Sequence, residues 1–137
     1  MELEDQVVSL ELARMLKELG VKQESYFYWC SCHDCIFTEE GMCEHLGKLL
    51  FNDKLSAFTV AEILELLPKD HSISISQWMD DGAYGRYEKP VFIGWIVGYC
   101  KNPKTKQVVY HSGRDNSLAD AAAKLLITLI EKGIVKP

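Results

Sequence analysis

The residues best suited to chemistry lie close together in YFYWCSCHDCIFTEEGMCEH, Tyr26 to His45, which holds four of the five cysteines and two of the four histidines. Thiolate and imidazole are the ligands zinc favours, and a closed structural site takes four of them in a tetrahedron, with sulfur about 2.3 Å from the metal. Cys32 and Cys35, two residues apart between them, can turn two sulfurs toward one ion. Cys43 and His45 can close the site from the far side of FTEEGM, where Gly41 permits a turn. The set Cys32, Cys35, Cys43 and His45 leaves no position for substrate, so it implies a structural zinc. Cys30 is the alternate ligand. A Cys-x-Cys pair projects to one side of an extended strand, which allows an all-thiolate set of Cys30, Cys32, Cys35 and Cys43. His33 is expected to point outward. Asp34, Glu39, Glu40 and Glu44 could orient a ligand histidine or simply solvate the loop.

Three other readings stay open for these residues. Free cysteine packs well under a loop as a small hydrophobe. Cys32 with Cys35, or Cys30 with Cys32, could form a redox pair. A catalytic thiol would need an activating neighbour, and the spacing displays none.

Other stretches carry weaker signals. DDGAYGRYEKP, residues 80–90, places Tyr84, Arg86 and Tyr87 between glycines on a long connection, a composition that suits partner contact or an ordinary exposed loop. HSGRDNS, residues 111–117, runs from strand to helix. Ser112 and Arg114 could hold an anion at the helix start, but no phosphate-loop glycine pattern is present. A capped connection is the simpler reading. Lys101, Lys104 and Lys106 gather at the NPKTK turn, where lysines commonly guard a sheet edge.

The elements that must position these residues read as follows. In SLELARMLKELG, Leu12, Met15, Leu16 and Leu19 form one apolar stripe of a helix, with Ser9 as N-cap and Gly20 just past its end. YFYWC, residues 26–30, reads as a strand. The cysteine segment at about 30–46 reads as an irregular insert. Thr59 and Glu62 have capping-box spacing before a helix through Ile63, Leu64 and Leu67 that Pro68 stops. SISISQW alternates at Ile73 and Ile75 as a half-buried strand does. VFIGWIVGYC, residues 91–100, suits a central strand, with Gly94 and Gly98 expected to leave room for a helix. The NPKTK turn predicts a hairpin with QVVYH. Ser117 and Asp120 open a final helix over 117–132, ended by Gly133, with Ala119, Ala122, Ala123, Leu126 and Ile130 on its apolar side.

This order implies an α+β fold in two layers: an antiparallel sheet of about four strands against about three helices. The partner of the Tyr26–Cys30 strand is not readable. The length of 137 residues favours a single domain, and an apolar fraction of 47% makes it globular. The net charge of −5 argues against bulk electrostatic binding of nucleic acid. The acidic start has no apolar signal core, and no run approaches the ~20 apolar residues of a membrane span. A cytoplasmic protein is expected, and in that compartment clustered cysteines serve as ligands or reactive groups rather than disulfides.

Three segments together, SLELARMLKELGVKQESYFYW (Ser9–Trp29), TVAEILELLP (Thr59–Pro68) and ADAAAKLLITLIEKG (Ala119–Gly133), resemble a group of small proteins from phages, prophages and their bacterial hosts. LKELGVKQES is the most specific part. The resemblance implies a shared α+β fold and a phage or prophage setting, and brings no catalytic role with it. That group's pattern does not require cysteines between the first strand and the second helix, so CSCHDC and MCEH are a feature of this version. Taken together, these readings predict a non-enzymatic binding module with an unidentified protein partner, stiffened by zinc. A thiol-based redox protein or enzyme is the alternative, and a nucleic-acid modulator a second one.

Overall fold

The computed structural model describes residues 2–30, 35–38, 55–69, 72–80, 91–100, 102, 104–105 and 107–137. Its elements are α1 (Leu10–Glu18), β1 (Phe27–Trp29), β2 (Ile36–Thr38), β3 (Leu55–Ser56), α2 (Val60–Leu66), β4 (Ser72–Asp80), β5 (Val91–Cys100), β6 (Val108–His111) and α3 (Leu118–Glu131), with a 3-10 turn at Leu3–Asp5 before α1. The fold is α+β. Instead of one four-stranded sheet, however, the described residues form two antiparallel three-stranded sheets, ordered β2-β1-β3 and β4-β5-β6. The segment expected to be irregular after Cys30 contains β2, which pairs with β1. Both β2 and β3 are too short to leave a periodic signature.

Helix ends follow local chemistry. Gly20 and Gly133 take positive φ, 90° and 73°. Each closes a Schellman turn: Gly20 and Val21 N–H groups donate to the Lys17 and Leu16 carbonyls, and Gly133 and Ile134 to those of Ile130 and Leu129. Ser117 caps α3 by accepting the Asp120 N–H at 3.3 Å. Ser9 precedes α1 as expected but makes no side-chain cap; its backbone N–H instead donates to Asp120 Oδ1 at 2.7 Å.

The core centres on α3, of which eight of fourteen residues are buried. It packs on β5 and β6 and against α1 and α2. Leu16 of α1, Ile63 of α2, Val97 of β5, and Leu125, Leu126 and Leu129 of α3 meet there. β5 is central, as its double-sided apolar run implies. Gly94 and Gly98 have a different reason from the one expected. A Cβ on Gly98 would lie 2.7 Å from Ser74 Oγ and 3.1 Å from a Val108 methyl, both on flanking strands. One on Gly94 would lie 2.6 Å from Arg114 Cγ. The space serves neighbouring strands and the β6–α3 connection, not an approaching helix.

Glu62 ties the two layers. Its Oε2 accepts from the Thr59 N–H at 2.8 Å, the Thr59 hydroxyl at 2.9 Å and the Ser25 hydroxyl at 3.1 Å. Its Oε1 accepts the Tyr26 N–H at 2.9 Å. One side chain therefore completes the α2 cap and anchors the entry to β1. Hydrogen bonds to a charged acceptor are worth more than neutral ones, and removing the acceptor leaves these donors unpaired. Glu62→Ala is expected to lower unfolding free energy by about 2–4 kcal/mol. Glu11→Ala, on the exposed side of α1, is expected to leave the urea midpoint in place.

Candidate functional site

The sheet β4-β5-β6 exposes an apolar surface. β4 pairs with β5 from Ser72↔Cys100 to Asp80↔Val91, with a bulge between Trp78 and Met79. Opposed residues share a face, so Ile73 and Ile75 stand with Tyr99 and Val97, on the side where α3 packs. Ile73 packs against the core. Ile75 is 44% exposed, because β4 extends beyond the helix. Ser74, Ser76 and Trp78 point to the other side, and Trp78 is 51% exposed. Past the bulge, Met79, Val91 and Phe92 are exposed as well. Phe92 rests edge-on against Trp95, ring centroids 5.5 Å apart.

β4 is also an edge. Among the described residues it pairs on one side alone, with β5. Residues 75–79 are all exposed. A nine-residue edge is about 30 Å of unpaired backbone groups, and natural sheets commonly guard such edges with lysine, proline or short strands. The stretch SISISQWMD has no lysine or proline, and its one charge is Asp80. The opposite edge, β6, has four residues. The sequence missed this surface. Its alternation implied a half-buried strand, and periodicity does not report how far the covering helix reaches. Trp78 and Met79 side by side, which break the alternation, were the available signal.

At the cysteines, the β1–β2 ladder pairs Phe27 with Thr38, Tyr28 with Phe37 and Trp29 with Ile36. The next pair is Cys30 and Cys35, with the Cys30 N–H donating to the Cys35 carbonyl at 2.7 Å. Cys30 is fully buried and Cys35 half-buried. Of the expected ligands, Cys32, Cys43 and His45 lie outside the described residues, as do His33, Asp34, Glu39, Glu40 and Glu44. No group of three or more metal-binding side chains assembles among the described residues. Tyr84, Arg86 and Tyr87, and Lys101 and Lys106, also lie outside them.

The 111–117 connection is a structural joint. The Ser112 hydroxyl accepts the Val97 N–H at 3.0 Å and donates to the Gly113 carbonyl at 2.6 Å. The His111 Nδ1 accepts the Gly113 N–H at 3.0 Å. Asp115 bridges by its backbone to Trp95 in both directions, at 2.6 and 2.9 Å, and forms an ion pair with Lys124. These contacts engage the Ser112 hydroxyl, one of the two groups that the anion reading invoked. A cleft of about 650 Å³ opens nearby, lined by Phe27, Thr59, Trp95 and Ser117 among others. Its two helix starts are already capped by Thr59 and Ser117, so its character is that of a groove without a reactive group.

Comparison with protein-family models, with curated proteins and with solved structures found no match for the chain. No helix among the described residues is long and apolar enough to cross a membrane.

The fold shifts the titration of Asp120. Burial pushes its carboxyl above the usual 3.8, while the Ser9 N–H draws it down; Asp115 raises it and Lys124 lowers it. The folded state therefore holds the proton more tightly than the unfolded chain. This group's contribution to stability declines as pH rises from about 3.8 through the higher folded value, and is level beyond it. Asp120→Asn keeps an oxygen for Ser9 and removes the titration. Urea midpoints taken from acid to neutral pH are expected to show the wild type losing stability relative to this variant as pH rises.

Proposed function

We propose that this protein is a non-enzymatic binding module that takes a partner protein along the edge of β4. It acts in the cytoplasm and, on the resemblance of its helices, in a phage or prophage setting. The observation that carries this reading is the five-residue exposed run 75–79 on an edge strand, with Ile75, Trp78 and Met79 in it. An extended partner segment pairing with that edge gains main-chain hydrogen bonds, and alternate side chains give specificity. Trp78 and Phe92 supply the aromatic contacts that dominate binding energy at interfaces. Clustered exposed apolar residues mark such surfaces more than isolated ones do. The net charge of −5 supports a protein partner over nucleic acid.

A second reading, compatible with the first, adds a structural zinc at the cysteine segment, with Cys32, Cys35, Cys43 and His45 as ligands and Cys30 as alternate. What favours it is the placement of Cys30 opposite Cys35. The zinc would bind beside the end of the β1–β2 ladder, where Cys30 and Cys35 stand.

A photoreactive residue placed at Gln77 in the producing cell is expected to give discrete protein adducts. The same residue at Lys17, on α1, is expected to give none of them. Trp78→Lys with Met79→Lys should reduce the Gln77 adducts at least severalfold while leaving thermal stability nearly unchanged, because both positions are exposed. Identical adducts from Gln77 and Lys17, or an unchanged yield in the double variant, would refute the β4 assignment.

A further inference from the structure

We infer that Cys30 and Cys35 are two ligands of one thiophilic metal ion, zinc by its preference for thiolates, held across the end of the β1–β2 ladder. This rests on the zinc reading above and sharpens it: Cys30 is a ligand in its own right and not a substitute.

The register carries the inference. The ladder ends with Tyr28↔Phe37 and Trp29↔Ile36; one step further along the same register stand Cys30 and Cys35, joined by the bond from the Cys30 N–H to the Cys35 carbonyl. Residues opposed across antiparallel strands project to the same face. Along β1 the faces alternate. Phe27 and Trp29 belong with the main core, and the Trp29 indole donates to the Val8 carbonyl at 2.8 Å. Tyr28 and Cys30 therefore lie on the second face. That face is enclosed too: Tyr28 stacks on Phe37 at 5.9 Å, and Cys30 has 0% exposure although it is outside the main core cluster. Ser56, opposite Tyr28, shares the face, and its hydroxyl is buried with no hydrogen-bond partner among the described residues. Cys30 and Cys35 thus share a partly polar face separate from the main core, Cys30 fully buried and Cys35 half-buried.

Distances choose between a disulfide and an ion. A hydrogen-bonded antiparallel pair has Cα atoms about 5.5 Å apart and Cβ atoms toward the upper end of about 4.5–5.5 Å. A disulfide needs Cβ atoms about 3.5–4.5 Å apart. Two thiolates on one tetrahedral zinc, each about 2.3 Å from the metal, sit about 3.8 Å from each other. The wider pair accommodates an ion where a disulfide would have to pull the strands together. Cys100, buried on β5 in the other sheet, serves as an internal control.

The test uses the full chain, purified without chelator. Elemental analysis is expected to give about one zinc per chain, retained in Cys100→Ser and lost at least tenfold in Cys35→Ser and Cys30→Ser. Since the Cys30 variant loses a fully buried group and could misfold, wild-type protein provides a second measurement. Mass-mapped alkylation should label Cys30 and Cys35 together once a chelator strips the metal, with Cys100 unchanged. Replacement by cobalt should give a thiolate-to-cobalt charge-transfer band that weakens in Cys35→Ser. If zinc is present but both serine variants keep it, the assignment of this pair fails while the zinc reading stands. If neither zinc nor cobalt binds the wild type, both fail. A Cys30–Cys35 disulfide in protein prepared under reducing conditions would overturn the assignment as well.

Discussion

The Glu62 carboxylate is the constraint on which the arrangement of the small sheet depends. It gathers four donors from two parts of the chain, Thr59 on its own helix and Ser25 and Tyr26 before β1. A carboxylate removed from water must replace its hydration, and hydrogen bonds from fixed backbone groups do so at little entropic cost. The result is that α2 cannot begin without placing β1. Gln23 adds to the joint by accepting the Ser56 N–H at 2.9 Å, which places β3 beside β1. Gln23 and Ser25 of VKQES are thus structural connectors.

The larger sheet is organised differently. α3 presses on β5 and reaches β6, leaving β4 as an overhang whose far half, among the described residues, has no helix above it and no strand on its outer side. Its covering is set by the width of one helix, about 10 Å with side chains, against a three-stranded ribbon about as wide but splayed by its twist. The same geometry that buries Val97 leaves Ile75 in water, although the two are paired partners. The apolar character of the distal end therefore adds nothing to the core, which is why the proposed binding role falls there.

Legibility in the sequence followed the range of the interactions. α2, α3 and both glycine terminations were readable because their determinants lie within four residues: Thr59 with Glu62, Ser117 with Asp120, Gly20 and Gly133 with the turn before. The hairpin around NPKTK was readable for the same reason. The second sheet was not, since β2 and β3 are three and two residues long and their pairing is a matter of tertiary contact. Ser9 failed as a side-chain cap because a partner 111 residues away recruits its backbone N–H. At the cysteines, spacing suggested that Cys30 and Cys32 share a face, as on an extended strand. Cys32 lies outside the described residues, and the residue hydrogen-bonded across from Cys30 is Cys35. The opposition of Cys30 and Cys35 is set by strand register, which residue spacing alone does not report.

The position of α3 in the chain has a consequence for synthesis. The helix that supplies the centre of the core is the last of the described elements in chain order. Until residues 118–131 emerge, α1, α2 and β5 have their apolar sides prepared but lack the surface that joins them. At about 5–20 residues per second, the β4–β5 hairpin spends seconds with both faces open to other chains. Truncation before α3 would leave two small sheets without the surface that joins them.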